Sequence, residues 1–257
     1  MKQKIDFQNI KHKKTMKNSD GEDVKKTVLD EISFTIDEGD VFAVMGPSGS
    51  GKTSLLRLLN RLEDPMHGNI LIDGKNILQY PVVELRRKVG LVFQIPYMFE
   101  GSVLDNLLYG PNLAGEKPED KKKQVMELLP WFGFKEDMLG RDPDRLSVGE
   151  KHRVNILRTL MNDPDVIMLD EPTSSLDPGS ARNILELVKD INQKKNKTIV
   201  LVTHIPEHAR MVSNKALILI DGKIVEKGTV EEVFDNPGAS IARNFLEGKT
   251  DIGNGQE

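Results

Sequence analysis

A glycine-rich stretch of the chain has the spacing G-x-x-x-x-G-K-[ST], which is typical of a phosphate-binding loop. The stretch reads Gly46-Pro47-Ser48-Gly49-Ser50-Gly51-Lys52-Thr53 and continues into Ser54. Its glycines allow consecutive backbone N–H groups to turn toward phosphate oxygens at a helix N-terminus, where the helix dipole also favours an anion. We expect Lys52 to reach the β- and γ-phosphates and the Thr53 hydroxyl to bind Mg²⁺. The spacing therefore predicts a site for a nucleoside triphosphate.

Two elements must hold this loop in place. The apolar run 41–45 comes before it and predicts a buried strand, and residues 54–59 after it predict an amphipathic helix. A flexible glycine turn that matches the pattern by chance is the alternative. A strand before the loop and a helix after it form the context that the motif requires, so we favour the phosphate loop.

A pair of carboxylates follows a second buried strand. The apolar run 166–169 leads directly into Asp170 and Glu171. Parallel sheets bind their ligands at the carboxyl ends of their strands, so this pair is expected in the site. One carboxylate can hold Mg²⁺ and the other can orient and deprotonate the attacking water. Such a pair is as often a helix cap or a solvated turn, but beside a phosphate loop the catalytic interpretation is favoured.

The composition excludes several classes of protein. The chain has 257 residues, of which 38% are apolar and 30% charged, and its net charge is −4. It contains no cysteine, which excludes disulfides, thiol catalysis and cysteine-bound zinc. The net charge predicts no nucleic-acid partner. No apolar run is long enough for a signal peptide or a membrane span, so we expect any membrane role to come through a partner.

The pattern of apolar residues predicts one α/β domain over residues 1–248. The nucleotide-binding core is predicted at 1–100 and 163–248, with a mostly parallel sheet because its apolar runs are continuous. Strands at 5–10 and 28–36 predict an N-terminal antiparallel β subdomain, joined by a long polar connection from Lys11 to Lys26. Helices at 103–109, 118–131 and 148–161 predict a helical lobe over 101–162. Residues 249–257 predict a disordered tail.

The order of the motifs resembles that of the ABC-type ATPases. The motifs are the phosphate loop, Gln94, Leu146-Ser147-Val148-Gly149-Glu150, Asp170-Glu171, Ser175-Leu176-Asp177 and His204. The match covers nearly the whole chain, so the resemblance implies a P-loop ATPase fold and the ATP-hydrolysing subunit of an ABC transporter. It implies ATP and Mg²⁺ as ligands and a place at the cytoplasmic face of the cell membrane. It also implies two partners, a multi-span membrane permease and a second copy of the chain in a dimer that sandwiches ATP.

The resemblance also implies residue roles. Lys52 and Thr53 correspond to the Walker A pair, Asp170 to the magnesium ligand and Glu171 to the general base. The implied catalytic residues are Lys52, Gln94, Glu171 and His204, with His204 at the γ-phosphate. The implied metal-binding residues are Thr53, Gln94 and Asp170. Nucleotide binding is implied for the residues from Gly46 to Ser54 and, from the other subunit, for Ser147, Gly149 and Asp177.

The signature motif departs from the family pattern LSGGQ at two positions. Val148 replaces a glycine and Glu150 replaces a glutamine, whereas Ser147 and Gly149 are kept. These two would present a hydroxyl and a backbone N–H to the γ-phosphate in the other subunit. They also open a predicted helix, so Ser147 is expected to act as its N-cap. The two departures affect only the fine geometry of the motif.

A further departure concerns the adenine base, which the family usually stacks on an aromatic residue after the first strand. No aromatic residue lies between Phe7 and Phe34. The expected position falls near Lys14, so a cation or nothing replaces the stacking partner. His12 could stack there instead, but we expect it to be a solvated loop histidine.

Alternatives of other classes share these motifs. One is an ABC-type ATPase acting on DNA or ribosomes, but residues 52–170 lack the sustained heptads of chromosome proteins and the chain has one cassette. Another is a small-molecule kinase, which would not explain residues 147–150 or His204. Within transporters, residues 86–94 and 109–111 resemble phosphate-import ATPases and a related group linked to metal export and aluminium tolerance.

The segment Ile95-Pro96-Tyr97-Met98-Phe99-Glu100 follows Gln94 where the helical lobe is predicted to begin. One interpretation is a hydrophobic seam between the lobe and the core. The other is that Tyr97, Met98 or Phe99 stays exposed and anchors a short helix of the membrane partner, since such side chains often dominate helix-binding grooves.

Overall fold

The protein is described by a computed structural model that covers residues 2–17 and 21–249. Strands and helices alternate through most of it, as the sequence predicts for an α/β protein. The strands are β1 Gln3–Lys17, β2 Asp23–Asp37, β3 Val41–Met45, β4 His67–Ile72, β5 Lys75–Asn76, β6 Val89–Val92, β7 Val166–Asp170, β8 Thr198–Thr203, β9 Lys215–Ile220 and β10 Lys223–Thr229. The helices are α1 Lys52–Leu59, α2 Val82–Lys88, α3 Val103–Leu113, α4 Pro118–Leu128, α5 Val148–Leu160, α6 Pro178–Lys195, α7 Pro206–Val212, α8 Val230–Asp235 and α9 Ser240–Leu246.

The larger sheet has six strands in the order β10-β9-β3-β8-β7-β6. Strand β3 pairs in parallel with β8 and β9, β7 pairs in parallel with β6 and β8, and only β10 pairs antiparallel. Every residue of β3, β7 and β8 is buried, which explains their continuous apolar sequences. The prediction of a mostly parallel sheet is confirmed. Its geometry brings the carboxyl ends of β3, β6, β7 and β8 to one edge.

The smaller sheet is antiparallel, in the order β2-β1-β4-β5, and confirms the predicted N-terminal β subdomain. The prediction of a polar connection from Lys11 to Lys26 is wrong, because both strands continue through it. Their register pairs Lys14 with Lys26 and Lys17 with Asp23, and residues 18–20 lie outside the described part. Backbone hydrogen bonds hold this ribbon where it leaves the core, so its residues need no apolar alternation.

Three α-helices lie between β6 and β7. Helix α3 begins at a capping box in which Ser102 and Asp105 each accept a backbone N–H, and α4 begins with a proline at its first position. Helix α3 runs four residues beyond the predicted end, to Leu113, and α4 ends at Leu128 because residues 129–132 tighten into a 3₁₀ turn. The helices share an apolar core with α6 and the sheet.

The described residues end at Lys249, so the predicted disordered tail lies almost entirely outside them. Across residues 2–17 and 21–249, no helix combines the length and the apolar character needed to cross a membrane.

Candidate active site at the carboxyl edge of the sheet

The phosphate loop borders a cavity of about 470 Å³. Two of its glycines are required by the backbone. Gly46 has φ 151° and Gly51 has φ 109°, a region that disfavours side chains. A Cβ atom would lie 2.0 Å from the Leu219 carbonyl oxygen at Gly46 and 2.7 Å from the Val28 carbonyl oxygen at Gly51. The loop therefore takes its shape by passing directly against β9 and β2.

The ammonium group of Lys52 lies in the mouth of this loop. Its side chain is 5% exposed, and its Nζ donates hydrogen bonds of 2.8 Å to the carbonyl oxygens of Gly46 and Pro47. Nζ also lies 3.7 Å from Glu171 Oε1. Burial lowers the pKa of Lys52, while the carboxylates of Glu171 and Asp170 oppose that shift. The ammonium group is thus held among oxygen atoms in the mouth of the loop, where it can form a charge-assisted hydrogen bond to a phosphate oxygen.

Thr53 and Asp170 bring two oxygen ligands together below the loop. The Thr53 hydroxyl donates a hydrogen bond of 3.1 Å to Asp170 Oδ1. Asp170 ends β7, is 5% exposed, and burial raises its pKa. Nearby, Ser50 Oγ is buried with no hydrogen-bond partner in the described part of the chain. Hard oxygen donors beside a loop of N–H groups suit Mg²⁺ bound to a phosphate, so these residues fit both ligands.

Glu171 is the point on which the other predicted catalytic residues converge. His204 Nδ1 lies 2.9 Å from Glu171 Oε2, and Gln94 Nε2 donates a 3.4 Å hydrogen bond to the same oxygen. The backbone of Glu171 has φ 45°, a conformation uncommon for a residue with a side chain, and its N–H donates to the Val202 carbonyl at 3.0 Å. Such local strain often occurs at functional sites. One carboxylate therefore contacts side chains that follow β6 and β8, the two strands on either side of β7.

Comparison with known proteins assigns this arrangement to a family. The model of the family described as ABC transporter matches residues 29–174, which is more than half of the chain. The chain belongs to the ABC transporter family. Like the cassettes of that family, it is a Mg²⁺-dependent ATPase whose hydrolysis is coupled to transport.

Three similar ABC proteins illustrate the match. Methionine import ATP-binding protein MetN 2 of Enterococcus faecalis is 38% identical over 91% of this chain and 69% of its own length. Protein STAR1 of Oryza sativa is 41% identical over 86% of this chain and 63% of its own length, so the chain spans less than two thirds of that relative. The cassette MJ0796, solved as a dimer in a post-hydrolysis state with ADP and Pi, superposes with a TM-score of 0.77 at 28% identity, covering 88% of this chain and 98% of that one.

The signature residues of this ABC ATPase lie apart from its phosphate loop. Ser147 caps α5 and accepts the backbone N–H of Glu150 in a capping box, which confirms its predicted structural role. Asp177 caps α6 and accepts the N–H of Ser180 at 3.0 Å. A Cβ atom on Gly149 would lie 3.5 Å from the Ser180 hydroxyl, so the two helix starts are neighbours. None of Ser147, Gly149 and Asp177 is among the described residues that line the phosphate cavity.

The cavity includes residues that sequence reasoning missed. Its wall contains Lys26, Thr27 and Val28 of β2 and the turn Asp221-Gly222 after β9. The Gly222 N–H donates to the Ser50 carbonyl at 3.1 Å, which ties this turn to the phosphate loop. An Asp-Gly pair after a buried strand signals a turn, but nothing in the sequence signals that this turn reaches the loop.

The position at which the spacing predicts the base site belongs to the wall of the phosphate cavity. Lys14 lines the cavity, and no aromatic residue does so among the residues the structure describes. The prediction that His12 is a solvated loop histidine is wrong. It lies in β1, is 6% exposed, and its Nε2 is 2.9 Å from Glu63 Oε2. The error follows from taking the ribbon for a loop.

The segment after Gln94 is partly seam and partly open surface. Ile95 and Tyr97 are 80% and 68% exposed, whereas Met98 packs against the core shared by the helices. Phe99 is half-buried and stacks on Tyr109 with a centroid separation of 4.2 Å. The seam interpretation therefore holds for Met98 and Phe99, and Tyr97 is exposed, which the docking interpretation requires.

Proposed function

We propose that this chain is the ATP-hydrolysing subunit of a membrane transporter and that Glu171 is its general base. The observation that carries the proposal is the convergence of Lys52, Gln94 and His204 on the Glu171 carboxylate, beside the Thr53–Asp170 pair. A carboxylate placed next to the phosphate loop is in position to take a proton from the water that attacks the γ-phosphate.

The surrounding side chains have distinct tasks in this proposal. Gln94 and His204 orient the Glu171 carboxylate, and His204 contacts the γ-phosphate. Lys52 balances the charge that develops on the transferred phosphoryl group. Thr53 and Asp170, with Gln94 at the edge of the site, would hold Mg²⁺, which when bound neutralises phosphate charge. The backbone from Gly46 to Ser54 supplies the N–H groups that bind the phosphates.

We further propose that two copies of the chain pair head to tail around ATP. Ser147, Gly149 and Asp177 lie together at the starts of α5 and α6 but do not line the cavity of their own chain. A helix N-terminus with free N–H groups favours an anion, so these residues suit the γ-phosphate held by a second copy. The solved dimer of MJ0796 with ADP and Pi supports this arrangement.

A multi-span membrane permease is the proposed partner, with the chain bound at the cytoplasmic face of the membrane. We propose that the core at 1–100 and 163–248 and the lobe at 101–162 form one cassette, and that the permease docks beside Gln94. The exposed Ile95 and Tyr97 support this location. Because Gln94 contacts Glu171, ATP binding and permease movement would be coupled in both directions.

The transported solute has two candidates. Sequence resemblance favours phosphate or another inorganic ion, whereas the Enterococcus faecalis relative is named as a methionine importer. We propose import in either case. Uptake of radiolabelled phosphate and of radiolabelled methionine, measured in cells with and without the gene, separates the two. Loss of neither uptake would contradict both substrates.

The Glu171→Gln variant tests the catalytic proposal. It should bind ATP and form a stable dimer, while its turnover falls by about 100-fold or more because the general base is lost. Light scattering measures the dimer and phosphate release measures the turnover. Glu207→Gln is the matched control, since Glu207 lies in the first turn of α7 close to His204 in sequence. Parental turnover in Glu171→Gln would exclude Glu171 as the base.

A further inference from the structure

The outer part of the β1–β2 ribbon is only two strands wide. Strand β4 pairs with β1 as far as Lys11, and beyond that point β1 pairs only with β2 within the described residues. A two-stranded ribbon is marginally stable in water. Lys14 and Lys26 lie opposite each other on this ribbon, and both line the phosphate cavity. The shape of that wall therefore depends on a tertiary contact that holds the ribbon in place.

Glu63 provides such a contact. It follows α1 in the chain, and Nε2 of His12 on β1 lies 2.9 Å from its Oε2. Nζ of Lys14, further along β1, lies 3.0 Å from Glu63 Oε1. Arg57 of α1 donates a hydrogen bond of 3.0 Å to the same Oε1. One carboxylate thus joins the ribbon to the helix that begins at the phosphate loop.

The Glu63 carboxylate is stabilised in its ionised form. Burial alone would raise the pKa of Glu63, but hydrogen bonds from Lys14 and Arg57 outweigh burial and lower it. An ionised carboxylate only accepts hydrogen bonds, so Nε2 of His12 carries the proton in their contact. The imidazole is 6% exposed, and its Nδ1 has no hydrogen-bond partner in the part of the chain that the structure describes. A buried ring with an unpaired nitrogen is destabilising, so the contact with Glu63 must offset that cost.

Lys14 reaches Glu63 by directing its ammonium group out of the cavity. Lys14 belongs to the cavity wall, whereas Glu63 is not among the described residues that form this wall. Because Nζ is bound to a carboxylate outside the wall, Lys14 presents mainly its methylene stem to the cavity. The stem offers an apolar surface at the position where the spacing predicts the base site. Such a surface shields a base from water without distinguishing one base from another.

We infer that Glu63 is a positioning residue for the nucleotide. Its carboxylate holds the Lys14 side chain so that the stem, and not the ammonium group, faces the base. This inference rests on the proposed function, because it requires a nucleotide in the phosphate cavity. It goes beyond that function by giving a charged residue outside the cavity a part in binding the base. Without the Glu63 charge, the Lys14 side chain would be free and the nucleotide would have to order it on binding.

The experiment measures how tightly the full-length chain binds ADP and inorganic diphosphate in the presence of Mg²⁺. Inorganic diphosphate carries two linked phosphates without the base and the ribose, so the ratio of the two dissociation constants reports on the base end of the cavity. The variants are Glu63→Gln, Glu63→Asp, Lys14→Gln and the double variant of Glu63→Gln with Lys14→Gln. Melting temperatures establish that each variant keeps its fold.

Asp64→Asn is the matched control. Asp64 is the next residue in the chain, its side chain is 62% exposed, and it pairs with Arg61. Neither Asp64 nor Arg61 is among the described residues that line the phosphate cavity. The control therefore removes one negative charge beside Glu63 without touching the ribbon contact.

We expect Glu63→Gln to weaken the binding of ADP by about fivefold but not that of diphosphate, because the nucleotide must then order the Lys14 side chain. Glu63→Asp keeps the carboxylate and should retain most of the affinity for ADP. Asp64→Asn should leave both dissociation constants unchanged. In the Lys14→Gln background, Glu63→Gln should change ADP binding by less than about 1.5-fold, since one partner of the ion pair is already absent.

Three results would contradict this role of Glu63. Equal weakening of ADP and diphosphate in Glu63→Gln would mean that the residue acts on the phosphate loop through Arg57 and α1. Equal losses in Glu63→Gln and Asp64→Asn would indicate a general effect of charge. An undiminished effect of Glu63→Gln in the Lys14→Gln background would show that Lys14 is not the residue that Glu63 positions.

The remaining outcomes separate this inference from the proposed function. Unchanged ADP binding in Glu63→Gln, with a parental chain that binds ADP, would overturn the inference alone. A parental chain that binds neither ADP nor diphosphate would contradict the proposed function as well. Should Glu63→Gln lose its fold, Lys14→Gln removes the same ion pair from the ribbon, and unchanged ADP binding in that variant would overturn the inference.

Discussion

The phosphate cavity differs in charge balance from a cavity of about 220 Å³ between the helices and the sheet, which is lined by Arg86 and Arg158 and is here called the arginine cavity. In the first, the Lys52 ammonium lies 3.7 Å from Glu171 and Thr53 donates to Asp170, so the buried Lys52 and Asp170 each have a partner in the same chain. In the second, Arg158 and Arg86 have only neutral acceptors among the described residues. Balanced charges hold a site in its working geometry before the ligand arrives. The unbalanced guanidinium groups leave hydrogen-bonding capacity unused beside the buried Asn155 amide.

Removal of the cation from the balanced site should have the largest effect. We expect Lys52→Ala to lower ATP turnover by about 100-fold or more, because the charge at the developing phosphoryl group is lost and Glu171 is left without its nearest cation. Lys26→Ala is the control, since Lys26 lines the same cavity but is exposed. Phosphate release measures both. Similar rates for the two variants would mean that Lys52 acts only through the general charge of the cavity.

Substitutions in the segment after Gln94 should distinguish packed side chains from exposed ones. Phe99→Ala should lower the free energy of unfolding by about 2 kcal/mol, because it removes the stack on Tyr109 and half-buried apolar area. Tyr97→Ala should change it by less than about 0.5 kcal/mol, because that side chain is 68% exposed. Both variants should remain folded, bind ATP and bind the membrane subunit less tightly. Urea unfolding measures the difference, and equal losses would contradict this division of the segment.

The base end of the phosphate cavity should discriminate poorly between nucleotides. With Lys14 in place of an aromatic residue, ATP and GTP should bind to the Glu171→Gln variant within about tenfold of each other, since stacking is the missing contribution of ~1–3 kcal/mol. Lys14→Tyr should tighten the binding of both nucleotides. Lys25→Tyr, on the same ribbon but outside the cavity wall, is its control. A strong preference for ATP in the parental chain would show that another residue contacts the base.

A modest effect is expected at a cluster of ion pairs away from both cavities. Asp73 accepts from Lys4 at 3.1 Å and pairs with Lys88 at 2.9 Å. Burial alone would raise the pKa of Asp73, but the hydrogen bonds from Lys88 and Lys4 outweigh burial and lower it. A carboxylate with a lowered pKa stabilises the fold above its unfolded pKa of about 3.9 and loses that contribution as the pH falls through the folded value.

Asp73→Asn should therefore lower the free energy of unfolding by about 1 kcal/mol at pH 7, and the difference from the parental chain should shrink as the pH falls below about 4. Arg86→Gln should show no such pH dependence, because no carboxylate pairs with Arg86 in the described structure. Unfolding curves between pH 3 and pH 7 test both variants. A constant gap for Asp73→Asn would mean that the ion pairs do not stabilise the chain.

Local signals in the sequence predicted most of the elements that build the site. The starts of α3, α4 and α5 lie where the sequence pattern placed them, and the loop glycines fit their backbone angles. The ribbon of β1 and β2 was missed because its hydrogen bonds are formed between backbones and leave no pattern of apolar side chains. His12 was misassigned for the same reason, since its burial depends on a contact with Glu63, 51 positions away.

The sequence by itself determined the nucleotide chemistry. Each of its two motifs, Gly46 to Thr53 and Asp170-Glu171, is an unbroken run of residues that directly follows its own strand. Only the tertiary structure decided which distant groups meet. The parallel sheet brings Gln94 and His204 to Glu171. It also places the turn at Asp221-Gly222 against the phosphate loop. It also leaves Arg158 facing a cavity without a carboxylate. Charge balance depends on neighbours across the fold, and strand order and helix packing choose those neighbours.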